Sequence, residues 1–297
     1  MINDAVARAR KAQIEWAKVP TRERAAIFMR FSKLVLDRQA EIMDVLQEET
    51  HKNRLSAFEE VLDTVQLSHY YGRHAAKFLK DQKRSGAFPI ITKTREVHRP
   101  VGVVGVITPW NYPFTLPSTD VAPAVIAGNT VVLLPDELTP KCADLMLSLM
   151  HEAGLPEGVV TIVHGGGRVH GSDLINAADF IMFTGSTATG RIVAKQCAER
   201  LIGFSGELGG KNPMLVLSDA DVAKTAKGAV RSCFANSGQL CVSIERIYVV
   251  EKHYDAFLKA FIAETEAMKL GDGNDWEIDM GPLISEKQFV RVRDQVT

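Results

Sequence analysis

The residues with the most chemical potential are a cysteine, a glutamate and an asparagine, each set beside glycine or proline. Cys241 closes NSGQLC (236–241), Glu207 opens ELGGKNP (207–213) and Asn111 stands in PWNYP (109–113). A cysteine thiolate adds readily to an electrophilic carbon, a carboxylate takes a proton from water, and a carboxamide NH2 donates to a developing oxyanion. Each also has a plainer reading. A lone cysteine is usually a buried structural residue, Glu207 suits a surface carboxylate near a glycine turn, and Asn111 suits a turn between Trp110 and Pro113. A fourth segment, FTGSTATG (183–190), carries Gly185, Ser186 and Gly190. Glycines that open a helix let the backbone approach a pyrophosphate, where unpaired N–H groups and the dipole favour anions. The GxxxxG spacing differs from the GxGxxG of ordinary dinucleotide folds, and alone it is weak.

The elements that must position these residues follow from periodicity. Up to about residue 83 the apolar residues Ile27, Phe31, Leu34, Val35, Ile42 and Val45 recur at helical spacing. From Ile90 to Thr108 β-branched residues dominate, first in polar alternation and then in a buried run, which predicts an extended arm feeding a core strand. Strands then alternate with helices: VVLLP, a helix from about Pro140 to Ala153, VVTIV, ADFIMFT, and a helix opening at GSTATG. Alternation of this length implies an α/β fold with a parallel sheet and right-handed crossovers, a Rossmann-like nucleotide-binding architecture. After Glu207 a second series begins with NPMLVLSD, a helix through Phe234 and ERIYVVE, the first part of a second α/β domain. The expected division is a nucleotide-binding domain over 1–206 and a partial catalytic domain over 207–297. Ser285 and Gln288 form a capping box that opens a last helix, with no stop signal before the chain ends, so truncation at the C-terminus is expected.

Composition narrows the function classes. The chain is 46% hydrophobic and 24% charged with a formal net charge of -1, and its basic residues are scattered, which argues against nucleic acid and against a polybasic membrane patch. The N-terminus has no uninterrupted apolar stretch of the secretory kind, and no segment is apolar enough to span a bilayer. Cys142, Cys197, Cys233 and Cys241 show neither CxxC spacing nor scaffold density, so a reducing, cytoplasmic setting is expected. The eight histidines form no HExxH, and no metal site is expected. HGGG (164–167) and GFSGE (203–207) imitate hydrolase motifs, but the latter lacks its final glycine.

Taken together, PWNYP, FTGSTATG, ELGGKNP and NSGQLC occur in an order and spacing that resembles the aldehyde dehydrogenase superfamily, over essentially the whole chain. The resemblance implies Cys241 as nucleophile, forming a thiohemiacetal and then a thioester, with hydride passing to NAD(P)+. It implies Glu207, 34 residues earlier (241 minus 207), as the base that activates the hydrolytic water, and Asn111 with the Cys241 N–H as oxyanion donors. Cofactor contacts are implied for Thr108, Pro109, Trp110, Glu137, Gly185, Ser186, Gly190 and Leu208. A carboxylate at Glu137 would bond the adenine-ribose hydroxyls and repel a 2'-phosphate, which favours NAD over NADP. The implied partner is a small aldehyde, and the context PWNYPFTLPSTD is similar to the succinate-semialdehyde branch. The segment near 86–99 would be an oligomerisation arm, with a homodimer or homotetramer the family expectation. One departure stands out: LLPDE places Leu134 where the family usually has a ribose-binding lysine. Leu134 and the expected truncation support the alternative of a non-catalytic member that serves at most as a binding or assembly module.

Overall fold

The computed structural model describes residues 1–88 and 90–296. Its helices and strands divide into two compact units, one of Met1–Gln39 with Glu60–Glu207, the other of Ala40–Glu59 with Leu208–Thr297. The first unit ends at Glu207 itself, and residues 40–59, expected with the nucleotide-binding part, group with the second unit.

Four helices come first: α1 (Ile2–Trp16), α2 (Thr21–Asp37), α3 (Gln39–Thr50) and α4 (Arg54–Phe78). The arm follows, and it starts earlier than the sequence suggested. β1 (Gln82–Arg84) lies in the stretch expected to be helical and pairs antiparallel with β2 (Thr94–Glu96). Three consecutive polar residues in β1 carry no apolar face that could reveal a strand; the pairing is held across the register by an Arg84–Glu96 ion pair. Pro89, within the expected arm, lies outside the described residues.

The core of the first unit is a parallel sheet in the order β5-β4-β3-β6-β7. Its elements in chain order are β3 (Val103–Ile107), α5 (Thr115–Ile126), β4 (Thr130–Leu134), α6 (Pro140–Glu152), β5 (Val160–Ile162), α7 (Gly166–Ala177), β6 (Phe180–Thr184), α8 (Thr187–Glu199) and β7 (Gly203–Glu207). Every residue of β3 and β4 is buried, as central parallel strands covered on both faces must be. Helix C-termini leave carbonyls without intrahelical partners, and arginines satisfy them repeatedly here. Arg24 Nε donates to Ile126 O at 2.8 Å, Arg30 Nε to Ala153 O at 2.7 Å and Arg200 Nη1 to Ala178 O at 2.8 Å. Burial lowers the pKa of Arg24 from its ordinary value. The entry to β3 is fixed by Asn129, whose Oδ1 accepts from Val101 N at 2.7 Å and Gly102 N at 3.1 Å, and by Asp179, whose Oδ2 accepts from Val103 N at 2.8 Å. Gly102 has φ +125°, a conformation that favours glycine.

In the second unit β8 (Asn212–Val216) runs parallel to β9 (Ile244–Val249), with α9 (Val222–Phe234) and α10 (Tyr254–Glu266) packed through Val216, Ala226, Ala229 and Phe257. Asp221 caps α9, accepting from Lys224 N at 3.1 Å. The 270–280 segment is tied to residues 47–58 of the same unit: Gln47 Nε2 donates to Gly273 O at 2.8 Å, Asn53 Nδ2 to Ile278 O and Asp279 O at 3.0 Å each, and Phe58 meets Trp276 edge-on. The last helix, α11 (Glu286–Val296), opens at Ser285, whose Oγ accepts from Gln288 N at 3.4 Å.

Candidate active site

The chain leaves β3 for one side of the sheet, reaches β4 and β5, and resumes at β6 on the other side of β3. Beyond the carboxyl ends of two strands at such a reversal an open α/β sheet has its ligand crevice. The predicted residues of the first unit collect at this edge. Thr108, Pro109, Trp110 and Asn111 follow β3, Glu137 follows β4, Gly185 and Ser186 follow β6, and Glu207 ends β7 in register with Thr184. Gly185 N donates to Glu207 O at 3.0 Å.

Asn111 is half-buried in the turn that leads into α5. That turn is held from below by a residue the sequence did not single out. Glu60, fully buried on α4, accepts from Phe114 N at 3.0 Å and Thr115 N at 3.1 Å, and Asp63 accepts from Thr115 Oγ1 at 2.7 Å. Carboxylates at the positive end of α5 complement the dipole as well as the unpaired amides. In the sequence both are ordinary acids in a helical run, so only the tertiary placement reveals them.

A further carboxylate of the first unit belongs to this edge. Asp120, on α5 and only 8% exposed, has its pKa pushed up to about 7, by burial first and by the negative charge of Glu207 second. A carboxyl raised to this range holds and releases a proton near neutral pH.

The edge fits a dinucleotide. Thr108 Oγ1 is buried with no hydrogen-bond partner among the described residues, a polar atom that a ligand hydroxyl would satisfy. Ser186 Oγ accepts from Thr189 N at 3.2 Å and so caps α8, whose positive end favours an anion. Gly190 is buried in the first turn of α8. Glu137 lies against Gly166, at the start of α7, where a Cβ would come within 3.5 Å of its carboxylate. Leu134, where the resemblance led one to look for a lysine, is fully buried in β4 and its carbonyl accepts from Thr108 N at 3.3 Å. It offers no charge to a ribose.

Leu208 and Cys241 fall in the second unit. Of the four cysteines, Cys142 and Cys197 are buried and Cys233 is half-buried, whereas Cys241 is exposed. Burial raises the thiol pKa of Cys197, and again of Cys233. Cys241 is therefore the thiol with access to a reagent. Its carbonyl accepts from Asn212 Nδ2 at 2.7 Å, a contact no sequence signal announced beyond the position of Asn212 within ELGGKNP. Among the described residues no cluster of metal-ligating side chains occurs, and no helix is long and apolar enough to cross a membrane.

Comparison with known proteins agrees with this architecture. A Mycolicibacterium smegmatis protein that carries the name of a succinate-semialdehyde dehydrogenase of the NADP+ type is 49% identical over 292 residues, covering 98% of this chain and 56% of its own length. A Mycobacterium tuberculosis protein named in the same way is 48% identical over 295 residues, covering 99% of this chain and 57% of its own length. The chain thus spans somewhat over half the length of the curated relatives it matches. Among solved structures, a 3,6-anhydro-L-galactose dehydrogenase in complex with NAP superposes with a TM-score of 0.91 at 34% identity, covering 98% of this chain and 61% of that one. The sequence pattern described as "Aldehyde dehydrogenase family" matches residues 1–297 from end to end. On that match, and on the parallel sheet that carries it, this chain belongs to the aldehyde dehydrogenase family.

Proposed function

We propose that the chain carries the reactive residues of an NAD(P)+-dependent dehydrogenase that oxidises an aldehyde, of the succinate semialdehyde type, to its carboxylic acid. The observation that carries this reading is the exposure of Cys241, alone among the four cysteines, in a chain matched by the family pattern throughout. In this reading the Cys241 thiolate adds to the aldehyde carbon and gives a thiohemiacetal. The Asn111 NH2 and the Cys241 N–H donate to the oxygen on which charge develops. When bound, NAD(P)+ supplies the acceptor for the hydride that leaves this carbon. Glu207 takes a proton from the water that hydrolyses the resulting thioester and releases the acid.

The cofactor would be held at the edge described above, with the pyrophosphate at Gly185, Ser186 and Gly190, and Thr108, Pro109, Trp110 and Leu208 flanking it. Glu137 favours NAD+ by repelling a 2'-phosphate, whereas the names of the mycobacterial relatives favour NADP+. The first unit is then the cofactor-binding domain and the second part of the catalytic domain. Four free thiols suit a reducing compartment such as the cytoplasm. The exposed Phe88, Ile90 and Ile91 of the arm suit association with further copies of the chain.

A second reading, a family member that keeps the fold without catalysis, draws on Leu134, which places a buried apolar side chain where the resemblance calls for a cation. Parallel titrations of NAD+ and NADP+, followed by NAD(P)H absorbance with succinate semialdehyde and with a simple aliphatic aldehyde, separate the two. Cofactor-dependent turnover supports the dehydrogenase; folded protein with neither binding nor turnover supports the second reading.

A further inference from the structure

Resting on the reading of Cys241 as nucleophile, we propose that Asn212 is a positioning residue that clamps the backbone of Cys241 through its carboxamide.

Cys241 is exposed, so packing does not fix its side chain and the direction of Sγ depends on the backbone that carries it. Because β8 and β9 are parallel, Asn212 at the start of β8 lies in register with Ile244 at the start of β9, beside the segment that brings Cys241 in. The ladder is irregular there. Its register shifts between Asn212 and Pro213, and Pro213 has no N–H to donate. A side chain supplies what the ladder lacks: Asn212 Nδ2 donates to Cys241 O at 2.7 Å and to Ser243 O at 2.9 Å. An uncharged NH2 with two hydrogens matches two carbonyls; a carboxylate of the same shape would face both with lone pairs. The clamp is reciprocal, since Arg246 on β9 donates through Nε and Nη2 to Lys211 O at 3.1 and 2.7 Å.

On the other side of Cys241 the chain is held against strain. Asn236, Ser237 and Gly238 have φ of 50°, 58° and 72°, a left-handed run that the two non-glycine residues adopt only when their surroundings enforce it. Ser237 Oγ donates to Gly281 O at 2.7 Å, and Gln239 Oε1 accepts from Ile284 N at 3.2 Å. The nucleophile is thus gripped before and after by groups of its own unit. In ELGGKNP the glutamate proposed as base, Glu207, and the asparagine that holds the nucleophile, Asn212, belong to one short motif.

The test is amide hydrogen exchange on the folded chain, read by peptide mass spectrometry, beside steady-state kinetics. Asn212→Ala should speed exchange of the amides of residues 239–243 about tenfold, the effect of losing two hydrogen bonds, and Asn212→Asp should speed it more. Arg246→Ala, which frees Lys211 O and leaves Cys241 O held, should change those amides by less than about twofold. In turnover, Asn212→Ala should lower kcat by about ten- to a hundredfold with the KM values unchanged, since a small misplacement of a reacting group acts on the chemical step. If the alanine variant does not fold, Asn212→Ser, whose single hydroxyl hydrogen serves one carbonyl, should show about threefold faster exchange. Unchanged exchange or unchanged kcat in a folded variant overturns the proposal. A wild-type chain with a protected loop and no aldehyde-dependent turnover overturns the dehydrogenase reading, and with it the clamp's catalytic purpose, while the exchange data still decide whether the clamp exists.

Discussion

Replacing Asp120 with asparagine should remove a pH dependence of stability that the structure places between acid and neutral pH. The side chain is 8% exposed, and its pKa rises from the ordinary 3.8 to about 7, through burial and then the charge of Glu207. Between these two values the folded chain keeps a proton that the unfolded chain has lost. Stability from this group is therefore complete below 3.8, drains as pH rises and is gone above about 7. At about 1.4 kcal/mol per pH unit the full window amounts to about 4 kcal/mol, of which about 3 kcal/mol falls between pH 5 and 7. Asparagine imitates the protonated acid in shape and stays neutral, so Asp120→Asn should gain on the wild type by that amount across the range. Urea unfolding of both proteins at pH 5, 6, 7 and 8 measures the difference. Glu207→Gln removes the lesser cause and should shrink the drop without abolishing it. A wild-type-minus-variant difference that is the same at pH 5 and pH 8 would refute the reasoning.

Two further perturbations have expected outcomes. Asn111→Ala should lower kcat by about a hundred- to a thousandfold, the usual cost of one oxyanion donor, with cofactor affinity unchanged in a parallel binding titration; an equal loss in both would assign the residue to the turn alone. Gly102→Ala should destabilise the chain by about 1–3 kcal/mol or more, because φ at this position is +125° and the new Cβ would strike the Asp179 carboxylate that orders β3; an unaltered thermal midpoint would contradict this.

Four strands of the parallel sheet, β3 to β6, were legible because they are short, apolar and separated by helices of steady length; β7, GFSGE, was not, because it is partly exposed and carries no β-branched residue. The helix at GSTATG was likewise legible, since Ser186 is both a capping residue and part of the glycine-spaced motif. β1 was not, because Gln82, Lys83 and Arg84 are all exposed and gain strand structure only from their partner in the hairpin. The grouping of residues 40–59 with the second unit also escaped the sequence: Gln47, Asn53 and Phe58 look like ordinary helix and turn residues until the distant 270–280 segment folds onto them. Glu60, Asp120 and Asn212 share that property. Their roles depend on amides, carbonyls and charges tens of positions away, and local spacing carries no record of those.

The most direct test of the central claim is aldehyde-dependent reduction of NAD+ or NADP+ by the purified chain, with succinate semialdehyde, beside a Cys241→Ala variant whose folding matches the wild type. Turnover by the wild type that the variant abolishes is the predicted result. Equal turnover by both would contradict the assignment of Cys241 as nucleophile.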